Sequence, residues 1–177
     1  MAKIKWVMDP AHSEVQFRIR HMMISHVTGQ FNKFDASVET EGDDFTTAGV
    51  RFTADLNSIT TNNEQRDAHL KSGDFFDITT HPQVVFEGKK LEKTGDDYKL
   101  YGTLTIRGVS KEAVLDAEYG GSARDPWGNT RVGLSVTGKI NRKEFGLTYN
   151  TTLETGGVLI GEDVKISCHV EFIRQEA

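Results

Sequence analysis

Cysteine, proline and long apolar runs are all scarce in this chain, and these scarcities exclude several classes of protein. The 177 residues include three prolines and one cysteine, Cys168, so no internal disulfide can form. A lone cysteine is typical of proteins from a reducing compartment. No segment approaches the roughly 20 consecutive apolar residues of a membrane-spanning helix. The opening sequence, MAKIKWVMDP, lacks the apolar stretch of a secretory signal. We therefore expect a cytoplasmic protein without a membrane span.

Clustered basic charge is absent as well. The chain has 21 Lys and Arg against 26 Asp and Glu, a net charge of −5, and the two signs are mixed along its length. A nucleic-acid-binding surface requires clustered basic side chains, so we expect no nucleic-acid partner. The length suits one domain with a sizeable core. Because no internal repeat or linker divides the chain, the sequence predicts a single domain over residues 1–177.

Motifs for catalysis, metal binding and nucleotide binding are also missing. The six histidines form no H-E-x-x-H pair, and a single cysteine cannot complete a zinc site with a second one. The nearest match to a nucleophile elbow, residues 133–137, lacks the final glycine and lies within a predicted strand. No glycine-rich phosphate loop is present. The sequence thus predicts no metal site, no cofactor and no catalytic residue.

Most of the chain alternates between apolar and polar side chains with a period of two, which is typical of half-buried β-strands. Val15, Phe17 and Ile19 share one face, for example, while the residues between them are polar or charged. The phase slips at Asn32-Lys33, as a bulge or a sharp bend would produce. About eight such segments with one short helix predict an all-β fold, either an antiparallel barrel or a sandwich.

Small residues are frequent on the apolar faces of the predicted strands. They are Gly29, Ala36, Ala48, Ala54, Gly88, Gly102, Ala113, Ala117 and Gly138. A barrel lined by small residues can keep a hollow for one small ligand, which is the interpretation that we favour. The alternative is that these residues mark bulges, twist and close approach between strands. Cys168 shares the apolar face of the last strand, so we expect a buried thiol that reacts slowly.

Residues 60–82 interrupt the alternation and contain the predicted helix. Thr61 and Glu64 have the spacing of a capping box, and Gly73 is a suitable stop, so the helix is predicted over 62–72. The helix is too polar to form a core by itself. Phe75 and Phe76 follow directly, and we expect their rings to hold this segment against the body of strands.

Four blocks of the sequence together resemble the YceI-like family. They are Trp6, Asp9, His12-Ser13, Val15, Phe17, Ile19, His21, Ser25, Gly29 and Phe31; Asn63-Glu64, Arg66-Asp67, His69-Leu70, Ser72, Phe75-Phe76, His81-Pro82 and Phe86; Gly102, Leu104, Ile106 and Gly108-Val109; and Arg142 with Phe145-Gly146. The resemblance covers essentially the whole chain in order. It implies a lipocalin-like, up-and-down antiparallel barrel whose interior binds a long apolar lipid, typically a polyisoprenoid.

The resemblance and the inward phases of the strands together predict the ligand-contacting residues. The apolar tunnel is predicted to be lined by Phe17, Ile19, Phe31, Val50, Phe52, Phe75, Phe76, Phe86, Leu104, Ile106, Leu134 and Val136. The polar end of the ligand is predicted to meet His21, Arg66 and His69. The expected function is that of a non-catalytic lipid carrier, with no cofactor beyond the bound lipid. An enzyme that acts on a bound lipid, a stress-related scaffold, and self-association into a homodimer remain open alternatives.

Overall fold

The computed structural model describes residues 3–22, 24–150 and 160–175. The described part consists mainly of strands, all antiparallel to their neighbours in one sheet. They are β1 (Lys3–Met8), β2 (Glu14–His21), β3 (Ser25–Phe31), β4 (Phe34–Glu41), β5 (Asp44–Asp55), β6 (Ile59–Thr60), β7 (Gln83–Thr94), β8 (Asp97–Ile106), β9 (Val109–Arg124), β10 (Thr130–Asn141) and β11 (Ile160–Gln175). One α-helix, α1 (Glu64–Lys71), lies between β6 and β7, and 3-10 turns occupy Pro10–His12, Leu56–Ser58 and Arg142–Phe145. None of the helices in these ranges is long and apolar enough to cross a membrane.

The sheet closes into an eight-stranded ring in the order β1, β4, β5, β7, β8, β9, β10, β11 and back to β1. The long strand β11 has two partners on its closing side. Its C-terminal half pairs with β1, as Phe172 does with Met8, and its N-terminal half pairs with β2, as Cys168 does with Val15. Because β2 also pairs with β3 and β1 with β4, β2 continues β1 along the wall and β3 continues β4. The predicted up-and-down antiparallel barrel is therefore confirmed.

Some local predictions need correction. The strand β1 was not identified from the alternation, although Trp6 is one of the most buried side chains. Although glycines favour loops, Gly120 and Gly121 belong to strand β9 and lie at a register shift opposite Gly133. The phase slip at Asn32-Lys33 is a bend, since the chain there leaves its pairing with β2 for a pairing with β1 and β5.

The helix is also shorter than predicted and is capped differently. It spans eight residues, and the Oδ1 atom of Asn63 accepts a hydrogen bond from the backbone N–H of Arg66 at 3.0 Å. Asn63 is therefore the N-cap, because its side chain satisfies one of the free N–H groups of the first turn. Thr61 donates from its hydroxyl and its backbone N–H to Asp67 instead, at 2.6 and 2.8 Å. The C-cap is Ser72, one residue before the predicted glycine.

One end of the barrel is filled by packed side chains. This far end contains the β4–β5, β7–β8 and β9–β10 turns. The rings of Trp6, Phe45 and Tyr119 stack there with centroids 5.2 and 5.3 Å apart, and the indole N–H of Trp6 donates to the hydroxyl of Thr40 at 3.0 Å. The interior of the barrel therefore has a floor, and its mouth lies at the opposite end, beside α1.

The glycines on the inner face do not create the hollow that we expected from them. A methyl group at Gly29 would lie 2.2 Å from the Phe17 ring, and one at Gly138 would lie 2.4 Å from the Leu115 side chain. Neighbouring side chains thus fill the space over these glycines, which is the alternative interpretation, close approach between strands. The alanines of the inner face behave differently, because Ala36, Ala48, Ala54 and Ala117 border open space inside the barrel.

Replacing Gly102 by alanine should destabilise the protein by about 1–3 kcal/mol, the usual cost of overpacking. The added methyl would lie 2.4 Å from the carbonyl oxygen of Glu87, and backbone cannot move aside as a flexible side chain can. Chemical denaturation measures the change. Gly49→Ala is the matched control, since nothing lies within 4 Å of the added methyl. Equal stability of the two variants would show that the strands are not packed this closely at Gly102.

Candidate ligand-binding cavity

The inner face of the barrel encloses a cavity of about 420 Å³. This volume lies within the range of known small-molecule sites, about 300–1,000 Å³. The structure places every predicted tunnel residue on its wall: Phe17, Ile19, Phe31, Val50, Phe52, Phe75, Phe76, Phe86, Leu104, Ile106, Leu134 and Val136. They come from β2, β3, β5, β7, β8, β10 and the segment after α1. Most strands of the wall therefore contribute side chains to the cavity.

Sequence reasoning missed further apolar residues that line the same space. They include Val15, Val27, Val84, Leu91, Leu100, Leu115, Ile140, Val164, Ile166 and Phe172. All lie on the inward phase of their strands, so the period-two alternation carried the signal that could have found them. The wall is accordingly aliphatic and aromatic over most of its area, and polar side chains occur near the mouth.

Arg66 is held in place at the mouth by the segment that leads into α1. Its Nε atom donates to the Thr61 hydroxyl and one terminal nitrogen donates to the Thr61 carbonyl, both at 2.7 Å. Asp67 accepts from the other side of Thr61. This arrangement orders the guanidinium and still leaves part of its donor capacity available. Both Thr61 and Arg66 line the cavity.

His69, on the last turn of α1, belongs to a cluster of three rings. Its ring contacts Phe75 and Tyr149 edge-on, with centroids 5.0 and 4.8 Å away, and those two rings are 5.1 Å apart. Its Nε2 atom lies 2.9 Å from a carboxylate oxygen of Asp74. Phe75 is buried in this cluster, whereas Phe76 is only half-buried. The cluster therefore holds α1 over the mouth through Phe75, whereas Phe76 is not part of it.

His21, the third predicted polar residue, ends β2 at the rim. It is half-buried, pairs with Ser25 of β3 and Ile160 of β11, and lines the cavity. The structure thus brings His21, Arg66 and His69 to the same end of one cavity. No hydrogen bond within the described ranges links His21 to Arg66 or His69.

Arg142 is a cavity residue to which the sequence had assigned no role. Its side chain is 2% exposed, and its guanidinium donates to the carbonyl oxygens of Leu147, Tyr149 and Gly161 at 2.6, 2.9 and 2.8 Å. Desolvation by burial lowers the pKa of this guanidinium. The carbonyls satisfy it and thereby tie the segment that carries Tyr149 to the start of β11. The sequence shows Arg142 shortly before Phe145-Gly146, but it does not show that the Arg142 side chain is buried.

The ionisable lining of the cavity is basic. Its described ionisable side chains include His21, Arg66, His69 and Arg142, and no aspartate or glutamate is among the described residues of the wall. The charge of the cavity lining is therefore opposite in sign to the net charge of the whole chain, which is −5. The mouth can donate hydrogen bonds to a polar group, while the interior offers only apolar contact.

Cys168 also lines the cavity. Burial raises the pKa of its thiol to about 12, because the apolar surroundings disfavour the thiolate. The side chain is only partly enclosed by protein, since part of its surface faces the cavity. The rate at which this thiol reacts with an added reagent should therefore depend on access to the interior of the barrel.

One group of described residues could supply three ligands to a metal ion: Asp9, His12 and Glu171. It lies outside the cavity lining. Arg131 already donates to the carboxylates of Asp9 and Glu171, at 2.6 and 2.8 Å. The hydrogen bond from Arg131, followed by that from His12, lowers the pKa of Asp9 to about 2. A cation would have to displace this guanidinium, so the group is better described as an ion-pair network that joins β1 to β10 and β11.

Comparison with known structures shows the same barrel elsewhere. A Campylobacter jejuni YceI protein has 35% sequence identity and a TM-score of 0.77, covering 89% of this chain and 90% of that one. Burkholderia cenocepacia BcnA, at 22% identity, has a TM-score of 0.78 over 93% of this chain and 98% of its own. A polyisoprenoid-binding domain from Saccharophagus degradans, at 14% identity, has a TM-score of 0.68 over 96% of this chain and 98% of its own. The last two show likeness of fold alone.

Comparison of sequences is consistent with this result. A UPF0312 protein of Staphylococcus aureus strain N315 is 43% identical over 165 residues, which are 93% of this chain and 94% of the relative. The model of the YceI-like domain matches residues 6–172. The chain therefore belongs to the YceI-like family.

Proposed function

We propose that this protein is a carrier that binds a long apolar lipid, a polyisoprenoid, inside its barrel and performs no covalent chemistry on it. The observation that carries the proposal is the cavity of about 420 Å³, apolar along its walls and polar at its mouth. Such a site is complementary to a molecule with a long hydrocarbon chain and one polar end. Bound lipid is the only cofactor-like group that the proposal requires.

The apolar contact is sufficient to drive binding. Burying one five-carbon isoprene unit contributes roughly 2–4 kcal/mol before ordering costs, at about 0.8 kcal/mol per buried CH₂-sized group. Micromolar affinity requires about 8 kcal/mol net. A few buried units can therefore exceed the entropy lost when a flexible chain is ordered. No ion pair is needed for affinity, so the mouth residues serve to orient the ligand.

The family supports a lipid as the ligand class. The Saccharophagus degradans domain with the same fold is described as polyisoprenoid-binding, and we choose a polyisoprenoid among long apolar lipids for that reason. In the proposed complex the chain lies among the inward aromatic and aliphatic side chains. The polar end lies near His21, Arg66 and His69, which the structure groups at the rim.

Mass spectrometry of lipid extracted after purification without detergent tests the proposal. The expected result is a stoichiometric long-chain lipid in the native protein and much less in Val50→Phe, whose added ring fills part of the cavity. Val114→Phe is the matched control, since Val114 is exposed on the outside of the barrel. If no lipid co-purifies and no added prenol binds, the carrier function is wrong.

One observation favours a second candidate function, an enzyme acting on a bound lipid. His69 is hydrogen-bonded to Asp74 beside the cavity, an arrangement in which a carboxylate can orient a general base. Turnover of a bound lipid that is lost in His69→Ala and kept in Asp77→Asn would support the enzyme. Release of an unchanged lipid after prolonged incubation would support the carrier.

The two phenylalanines after α1 should respond differently to truncation. Phe75 is buried in the cluster with His69 and Tyr149, so Phe75→Ala should lower the free energy of unfolding by about 3 kcal/mol or more. Phe76 is half-buried against the cavity, so Phe76→Ala should cost less stability and weaken prenol binding more. Thermal unfolding and a fluorescence binding assay measure both. If both variants unfold and any folded fraction binds lipid normally, the rings are structural only.

Labelling of Cys168 should depend on lipid occupancy. With its pKa raised to about 12, the thiol should react with a charged disulfide reagent much more slowly than an ordinary cysteine near pH 8, because little of it is thiolate. Added prenol should slow the reaction further, because the thiol faces the cavity that the lipid fills. The rate in urea is the control. Rapid labelling of the native protein, unaffected by prenol, would contradict this placement.

A further inference from the structure

The turn between β2 and β3 exposes apolar side chains at the mouth of the barrel. Ile24 is 83% exposed and Met22 is 41% exposed. Met22 also adopts a positive φ of 53°, a conformation that side chains with a Cβ rarely adopt. The turn is flanked by His21 and Ser25, which pair with each other, and His21 lines the cavity. These apolar side chains therefore project from the rim through which a ligand would pass.

Basic side chains surround this turn on the outer face of the barrel. Arg18 and Arg20 lie on β2 and Lys165 lies on β11, and all three are on the outward phase. No carboxylate within the described ranges lies at ion-pair distance from any of them. Lysines nearby are paired, Lys139 with Asp163 and Lys143 with Glu162. Arg18, Arg20 and Lys165 are thus a group of neighbouring cations for which the described residues supply no carboxylate partner.

The charges are also placed unfavourably for the fold. Arg18 and Lys165 are directly opposite each other on paired antiparallel strands, where like charges destabilise the sheet. On the other side, Arg20 is opposite His26. Desolvation lowers the pKa of His26, and so do the positive charges of Arg18, Arg20 and Lys165. A folding role does not account for this cluster, whereas an anionic binding partner would.

We propose that the docking tip, defined as Met22 and Ile24 with Arg18, Arg20 and Lys165, binds the surface of an anionic lipid membrane. The inference rests on the proposed function, since a lipid carrier must meet a membrane to load or release its ligand. Exposed apolar side chains next to basic ones are the combination that inserts shallowly into the interface of a bilayer containing anionic lipid. Docking in this way would turn the mouth of the barrel toward the bilayer.

A membrane fits this surface better than an acidic protein does. Met22 and Ile24 lie exposed in a tight turn and are not among the described residues that line the cavity. Unpaired cations spread around such a projection suit a fluid surface whose anionic head groups can rearrange. An acidic polypeptide is the alternative that the experiment must exclude.

Co-sedimentation with vesicles tests the docking tip. The protein should bind vesicles of phosphatidylglycerol and phosphatidylcholine in equal parts, and bind pure phosphatidylcholine much more weakly. At about fivefold per cation, Arg18→Gln combined with Lys165→Gln should weaken binding about 25-fold. Lys3→Gln combined with Lys5→Gln is the matched control, since it removes two exposed lysines from β1 at the far end.

The apolar contribution has its own pair of variants. Ile24→Ser should weaken vesicle binding on the order of tenfold, because an inserted isoleucine side chain leaves water. Trp127→Ser should have no effect, although Trp127 is 78% exposed, since it lies in the β9–β10 turn at the far end. Equal vesicle binding by all four variants and the unmodified protein would overturn the proposal, and so would binding that does not depend on anionic lipid.

Three further measurements separate the possible explanations. Arg18→Gln should leave the unfolding temperature unchanged or raise it, because it relieves the repulsion of Lys165; a lower temperature would indicate a structural role. If the protein bound polyglutamate but not vesicles, the proposed membrane partner would be wrong and an acidic protein would be the partner instead. Prenol binding measured without vesicles should be unchanged in these variants, and its absence in the unmodified protein would refute the carrier function, not the docking tip.

Discussion

The alternation of side chains across each strand is the constraint on which the rest of the structure depends. In a closed wall every second side chain must face the interior, and water is excluded from most of that space. The interior must therefore be apolar, or its polar groups must bond to one another. Arg142 meets this condition through backbone carbonyls and Trp6 through the hydroxyl of Thr40. The cavity exists because the inward side chains are apolar or hydrogen-bonded and yet do not fill the barrel.

The sequence predicted the wall well because period two is a strong signal in long strands. The tunnel residues followed from this alternation together with the family resemblance, and the structure places all of them around one cavity. The alternation did not predict which side chain fills the space over an inward-facing glycine. Gly29 and Gly138 were interpreted as lining a hollow, but their missing side chains make room for Phe17 and Leu115. The side chain that fills the space over a glycine depends on the register between neighbouring strands. That register cannot be derived from the composition of one strand.

Local polar chemistry was harder to predict than the strands. Thr61 and Glu64 have the spacing of a capping box, yet Asn63 caps the helix and Thr61 binds Arg66 and Asp67 instead. Both arrangements satisfy the Thr61 N–H and an N–H of the first helical turn, so only tertiary position distinguishes them. The burial of Arg142 could not be predicted either, because arginines are rarely buried and its partners are carbonyls from distant residues.

The mouth differs physically from the rest of the barrel. The four non-glycine residues described with positive φ are Met22, Asn62, Asp77 and Arg107, and all lie in turns or segments at this end. Such conformations persist only where surrounding bonds hold them. Arg107 supplies some of those bonds, donating to the carbonyls of Gly146 and Gly73 at 3.0 Å each. Passage of a large ligand would have to disturb bonds between loops, not the strands.

The closure of the ring by β11 has a consequence for how the chain folds. Most neighbours in the wall are consecutive in sequence, whereas β1 and β2 pair with a strand about 140–170 residues later in the chain. Forming that pairing carries the largest loop-closure entropy of the molecule, so the local hairpins should form first and the seam last. Until the last strand leaves the ribosome, the inner face of the first strands has no cover. The nascent chain is consequently most prone to aggregation just before β11 emerges, when almost the entire apolar wall has been made but the barrel is still open.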